Sequence, residues 1–173
     1  MADEWFDLVD PDTNRVIGRA PRELCHGDPS LVHRAVHGAV FHPDGRILLQ
    51  KRALTKRVQP GRWDMSVGGH LISGEDWSDA LLRETEEELG VKVSFSSFRF
   101  RFEIQERNDF ESENIRVYSV TYSGPFHFQS EEIDEIRFFD LRELADRIAR
   151  RDAEDLTPLL RREIPLLLAG DAE

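Results

Sequence analysis

Three carboxylates, on Glu84, Glu87 and Glu88, stand three and four residues apart in a stretch whose pattern predicts a helix. An α-helix turns about 100° per residue, so the three fall within roughly 100° of arc on one face. Like charges that close repel one another unless water screens them or a multivalent cation gathers them. Oxygen clusters of this kind suit Mg²⁺ or Mn²⁺, which take a few carboxylates together with waters and substrate phosphates. A glutamate-rich helix taken alone is more often a solvated face. Its surroundings shift the balance toward chemistry.

Asp76 is placed to cap the helix, with Asp79 three residues on, and Gly90 is placed to end it. A helical wheel puts Leu81, Leu82, Thr85 and Leu89 on the buried stripe, with the glutamates beside it at the edge of the core. Small Ala80 sits about one turn below them. Arg83, four residues before Glu87, is positioned to hold that side chain by an ion pair. Gly69 precedes the helix by a short loop. A glycine there lets the backbone approach a ligand, and its carbonyl is a candidate oxygen ligand.

The segment from Gly69 to Val91 resembles the signature of the Nudix hydrolases: G, five residues, E, seven residues, then R-E-U-x-E-E-x-G-U, with U apolar. Gly69, Glu75, Arg83, Glu84, Glu87, Glu88, Gly90 and Val91 match at the right spacing. Thr85 departs from the pattern at the first U and keeps a methyl group for packing. Flanking similarity runs from about Val32 to Leu144. The resemblance implies an α/β fold, a Nudix-type α/β/α sandwich around a mixed β-sheet. It also implies a pyrophosphatase acting on nucleoside diphosphates linked to another moiety, with Mg²⁺ (or Mn²⁺) as cofactor. Glu84, Glu87, Glu88 and the Gly69 carbonyl are then the metal ligands. Glu75 orients that shell directly or through water, and Arg83 positions Glu87. Bound metal would offset the negative charge that slows attack on a diphosphate bridge and would lower the pKa of a bound water. Proton removal from that water needs a carboxylate: Glu87, Glu88, or an acid outside the motif, for which Glu132 in the run from Gln129 to Glu135 is the candidate. Nucleoside di- or triphosphates, giving monophosphates, are favoured over dinucleotides or sugar nucleotides. The alternatives are an isomerase acting on isopentenyl diphosphate and a catalytically silent nucleotide-binding module.

The isomerase alternative arises from a second resemblance. His26, His33, His37, His42, His70 and His127 form no tight cluster along the chain, and a lone histidine on a strand is more often a core residue than a ligand. The span from Cys25 to His70 nevertheless is similar to type I isopentenyl diphosphate isomerase. That family's two histidines seven residues apart are matched by His26 and His33. Its phrase Q-x-R-A-x-x-K…P-G-x-W…S-V-C-G-H is matched by Gln50, Arg52, Ala53, Lys56, Pro60, Gly61, Trp63, Ser66, Val67, Gly69 and His70. The isomerase's catalytic cysteine, however, falls at Gly68, and without an acid there the protonation of an alkene has no obvious agent. That family also lacks the intact R-E-x-x-E-E pattern. The chain therefore reads as a hydrolase on an isomerase-like variant of the fold, in which the isomerase's histidine metal site would survive only as a vestige.

Between Lys51 and Arg62 lie Lys51, Arg52, Lys56, Arg57 and Arg62 with no acid among them. A solvated loop is one reading. A clamp for polyphosphate, with Arg52, Lys56 and Arg62 as substrate-binding residues, is the one favoured. Phe6, Trp63, Phe110 and Tyr118 are candidate stacking partners for a base, though each is better explained as core.

The formal net charge of −11 over 173 residues argues against a nucleic acid polymer as partner. One cysteine excludes an intrachain disulfide, and no run of apolar residues is long enough to span a membrane. A cytoplasmic location is expected from the acidic start, which does not resemble a signal peptide. The chain reads as one domain over 1–173, with a short N-terminal hairpin (about 1–25) and C-terminal helices (about 141–170). Strands are expected over 32–41, 46–52, 93–106, 115–122 and 137–139. A homodimer through the hairpin is compatible with the sequence and not required by it.

Overall fold

The computed structural model describes residues 4–170; of the expected hairpin and C-terminal helices, only residues 1–3 lie outside it. Strands β1 (Trp5–Val9) and β2 (Val16–Pro21) form a two-stranded antiparallel sheet, followed by the short helix α1 (Arg22–Cys25). The main sheet is built from β3 (Val32–Phe41), β4 (Ile47–Arg52), β5 (Trp63–Asp64), β6 (Val67–His70), β7 (Arg99–Arg107), β8 (Ser112–Thr121) and β9 (Ile133–Phe139). Its path runs β5-β4-β3-β8-β7, with β6 also on β3 and β9 on β4. The β3–β8 pair is parallel and the others antiparallel, so the sheet is mixed, as expected.

Alternation along β3 sets the two faces, because successive side chains of a strand point to opposite sides. Val36 and Val40 pack with Leu81 and Leu89 under helix α2 (Trp77–Leu89). Ala35 and Ala39 pack with Leu160, Ile164 and Leu167 under α3 (Leu141–Ala149) and α4 (Pro158–Gly170). The sheet lies between helical layers, the expected sandwich. Burying Leu81 and Leu89 stabilises the α2 side by about 1.5–3 kcal/mol each.

The structure corrects several expectations. The buried stripe of α2 is Ala80, Leu81, Thr85 and Leu89; Leu82 is only partly buried. The strand expected from Val93 begins at Arg99, because Phe95–Ser97 turns into a 3₁₀ helix whose preceding Ser94 hydroxyl binds those of Ser96 and Ser97. The final strand starts at Ile133, so Asp134 and Glu135 belong to it and not to the loop.

Candidate active site

The glutamate helix is fixed at both ends by its own sequence. The Asp76 carboxylate accepts from the Asp79 backbone N–H at 3.0 Å, satisfying an amide that the first turn leaves unpaired. Gly90 adopts a left-handed backbone, φ 65°, and its N–H bonds to the Glu86 carbonyl. Thr85 fits its apolar position because its hydroxyl donates to the Leu81 carbonyl at 2.6 Å and is thereby satisfied in the core. The loop before the helix is held by the hairpin: Asp7 accepts from the Ser73 hydroxyl at 2.6 Å and from the Gly74 N–H at 3.0 Å.

Gly69 lies directly under Glu84. A Cβ at that position would be 2.0 Å from Glu84 Cδ, so the carboxylate reaches the strand only because no side chain stands there. This close approach within the protein is the structural need for the glycine, where the sequence had suggested approach to a ligand. Glu88 reaches both β4 and β6. Its Oε2 accepts from the Gly68 N–H at 2.9 Å and from Gln50 Nε2 at 3.0 Å. Burial pushes the Glu88 carboxyl up to about 8, with Glu84 adding to the shift, and pushes Glu84 up to about 7.

Arg83 has a wider role than its spacing suggested. It bonds both Glu75 oxygens, at 2.8 and 2.9 Å, the Glu84 carboxylate at 2.7 Å and the His70 carbonyl at 3.0 Å. The expected contact to Glu87 exists but is the longest of the set, at 3.3 Å, and Glu87 is exposed. Arg83 therefore holds Glu75 and Glu84 first. Beside it, Arg83, Glu86, Glu87, His127, Phe128 and Gln129 line a cavity of about 670 Å³.

The basic stretch is engaged within the fold. Arg52 donates to the Val58 carbonyl at 2.9 Å and to Asp64 at 3.2 Å. Arg62 reaches the Leu156 carbonyl, and Lys56 pairs with Glu132, which joins a phosphate candidate to a base candidate at the surface. Of the aromatic candidates, Phe6, Trp63 and Tyr118 are buried, and Phe110 is exposed.

The histidines, scattered in sequence, converge. One ligand atom from each of His26, His33, His70 and Glu111 lies within 4.8 Å of the others. Glu113 adjoins them, with its Oε1 2.7 Å from His70 Nε2 and 3.7 Å from His33 Nε2. Phe6 stacks on the His33 and His70 rings, so the hairpin roofs the cluster. Burial, reinforced by the neighbouring His70 and Arg22, lowers His26 to about 4 and leaves it neutral. Burial would raise Glu113, but His33 and His70 hold it well below the usual carboxylate range. His26 Nε2 and His33 Nε2 are buried without hydrogen-bond partners. Burial lowers His70 as well, and neutral imidazoles such as those of His26 and His70 beside an ionised Glu113 are forms that bind a metal ion, so the donor set fits one. Sequence reasoning missed Glu111, Glu113 and Gln50 as members of a site. The one signal for the two acids was their spacing of two ahead of a strand, which places them on one face once β8 pairs His33 with Glu113.

A mixed sheet between helical layers, with a capped helix presenting R-E-x-x-E-E above a required glycine, defines a scaffold for hydrolysing pyrophosphate bonds. A NUDIX domain model matches residues 31–160, and the chain belongs to the Nudix hydrolase family. It is 34% identical over 175 residues to a Yersinia pestis protein described as a Nudix hydrolase, covering 98% of this chain and 88% of that one. It is also 34% identical over 149 residues to a Streptomyces avermitilis protein named isopentenyl-diphosphate Delta-isomerase, covering 84% and 75%. Among solved structures, DR0079 from Deinococcus radiodurans aligns with a TM-score of 0.78 at 25% identity, covering 94% of this chain and 98% of that one. No helix among the described residues is long and apolar enough to cross a membrane.

Proposed function

We propose that the protein is a divalent-metal-dependent pyrophosphohydrolase that cleaves nucleoside diphosphate-linked substrates, foremost nucleoside di- and triphosphates, to nucleoside monophosphates. The observation that carries this reading is the pair Glu84 and Glu88. Both are drawn into the strand–helix junction, and both have their carboxyl groups pushed toward neutrality by burial. Desolvated carboxylates this close are the arrangement a divalent cation relieves, so the residues fit one. Glu84, Glu87 and Glu88, with the Gly69 carbonyl, would hold Mg²⁺ or Mn²⁺. When bound, the ion supplies charge neutralisation at the diphosphate and acidifies a water.

The chain's own groups supply the rest. Arg83 keeps Glu84 and Glu75 in place. Glu87 lines the neighbouring cavity and, through a carboxylate oxygen not engaged by the ion, would take the proton as water oxygen bonds to phosphorus and the P–O–P bridge breaks. Phe128 in the same cavity offers an apolar wall for the base or leaving group. Gly68 has no side chain to protonate an alkene, which favours hydrolysis over isomerisation.

The His26, His33, His70 and Glu111 cluster, which shares no residue with the helix glutamates, supports a second ion of an imidazole-preferring kind, such as Zn²⁺.

The test is a panel of nucleoside diphosphates, triphosphates, diphospho-linked conjugates and isopentenyl diphosphate with Mg²⁺ or Mn²⁺, scoring monophosphate release and alkene isomerisation. Monophosphate from a nucleotide is the expected result. Isomerised product without phosphate release, or tight nucleotide binding with no turnover of any compound, would replace this reading. Elemental analysis of His33→Ala against the unaltered protein tests the second ion.

A further inference from the structure

The apolar stripe of α4 is interrupted by a charge. Leu160, Ile164 and Leu167 are fully buried at helical spacing, and Glu163, between them, is equally inaccessible. Its Oε1 lies 2.6 Å from Nδ1 of His37, which points from β3 toward the same helical layer. Its other oxygen, Oε2, is buried with no hydrogen-bond partner. Taking two such groups out of water costs several kcal/mol per ion, and an apolar pair would serve packing at least as well. Helix α4 has apolar contacts enough to dock without it. The pair therefore calls for a use other than holding the fold.

Its position suggests one. His37 stands opposite Gly68 in the β3–β6 register. A Cβ on Gly68 would lie 3.1 Å from His37 Nε2 and equally close to Cδ2, so the ring occupies the room that a side chain there would need. The Gly68 N–H is also the group that holds Glu88 Oε2. One glycine thus has the imidazole against its Cα and the metal-candidate carboxylate on its nitrogen. Asp64 bears electrostatically on Glu88, His37 and Glu163 alike, so these groups share one neighbourhood. With Nδ1 fixed on Glu163, the ring is oriented and Nε2 is left as its unused nitrogen. In a region rich in carboxylates, with Arg52 already engaged by Asp64, the His37 imidazole is a further group suited to meet an anion.

We propose that His37, oriented by Glu163, is a catalytic residue whose Nε2–H donates a hydrogen bond to a phosphoryl oxygen of the diphosphate bound beside Glu88. Gly68 makes room for that ring. Glu163 acts through His37 and is a positioning residue. This rests on the pyrophosphohydrolase reading, and the experiment separates the two.

Full-length protein with ¹⁵N-labelled histidine, in Mg²⁺, is titrated with inorganic pyrophosphate and followed by NMR. The His37 resonance is identified by its loss in His37→Gln. The expected result is a saturable shift of His37 Nε2, pyrophosphate binding at least tenfold weaker in His37→Gln, and a smaller loss in Glu163→Gln with a displaced His37 titration. Glu163→Gln retains a partner for Nδ1, so it keeps the test open if His37→Gln does not fold. A purely structural pair would lower Tm in both variants and leave pyrophosphate affinity within twofold. That outcome, a His37 signal unmoved at saturation, or no saturable pyrophosphate binding by the unaltered protein overturns the proposal. A His37 shift in a protein that hydrolyses nothing sinks the hydrolase reading and leaves this contact standing.

Discussion

At the scale of single residues, the site is set by which carboxylates are desolvated and by what holds them. Glu88 has two fixed donors, Gly68 N–H and Gln50 Nε2, and a carboxyl pushed up to about 8 by burial. Glu88→Gln keeps an acceptor for both donors and removes a buried charge. We expect kcat to fall by about 10²-fold or more while Tm is unchanged or raised. Rate and melting measurements on the same sample check it; a full-rate variant would remove Glu88 from the machinery. The histidines show the limit of reading residues one at a time. His26, His33 and His70 matched the isomerase's histidines by position along the chain only, and the carboxylates that complete their cluster, Glu111 and Glu113, offered no signal beyond their spacing of two.

At the scale of elements, α2 was the most legible part of the chain, because caps and a 3.6-residue period are local properties. Asp76 caps it as its type and position implied. Asp76→Ala should destabilise the protein by about 1 kcal/mol, which in a domain of this size lowers Tm by roughly 2–4 °C, with the site chemistry retained. Differential scanning calorimetry reads this directly. Gly69 is a different case, since its requirement comes from across the helix–strand contact. In Gly69→Ala, the new methyl would fall 2.0 Å from Glu84 Cδ and displace that side chain. An ångström-scale misplacement of this kind should cost about 10²-fold in activity, measured by steady-state kinetics on folded protein. The long strand expected from Val93 failed for a local reason. The Ser94 hydroxyl bonds those of Ser96 and Ser97, and the chain closes a turn there first.

At the scale of the whole molecule, the buried acids make stability depend on pH and metal together. Glu84, Glu88 and Glu111 have folded values raised to about 7, 8 and 7, above their ordinary 4.5. Between that ordinary value and about pH 8 the folded state binds more protons than the unfolded one, so their contribution to stability falls as pH rises. His37, raised to about 9 by Glu163 against the effect of burial, contributes in the same direction above its ordinary 6.5. His26, lowered to about 4, has the opposite sign, but its contribution is complete by pH 6.5. Chelated protein should therefore melt at lower temperature at pH 8.5 than at pH 6.5. Added Mg²⁺ or Mn²⁺ should raise Tm more at the higher pH, because it binds the ionised carboxylates of the folded state. Thermal melts at both pH values, with and without metal, check this; equal metal stabilisation at the two would contradict it.

The sequence by itself determined the glutamate helix, its caps, the matching glycine and arginine, and hence the family and the layered α/β fold, because each depends on spacing within one short segment. Only the tertiary structure could decide that Arg83 serves Glu75 and Glu84 before Glu87. It alone brought three distant histidines together under Phe6, and set His37 against Glu163 from a helix 126 residues further along the chain. Those contacts are made across strand pairings and helix docking, where partners are chosen by register and packing and leave no periodic trace in the order of residues.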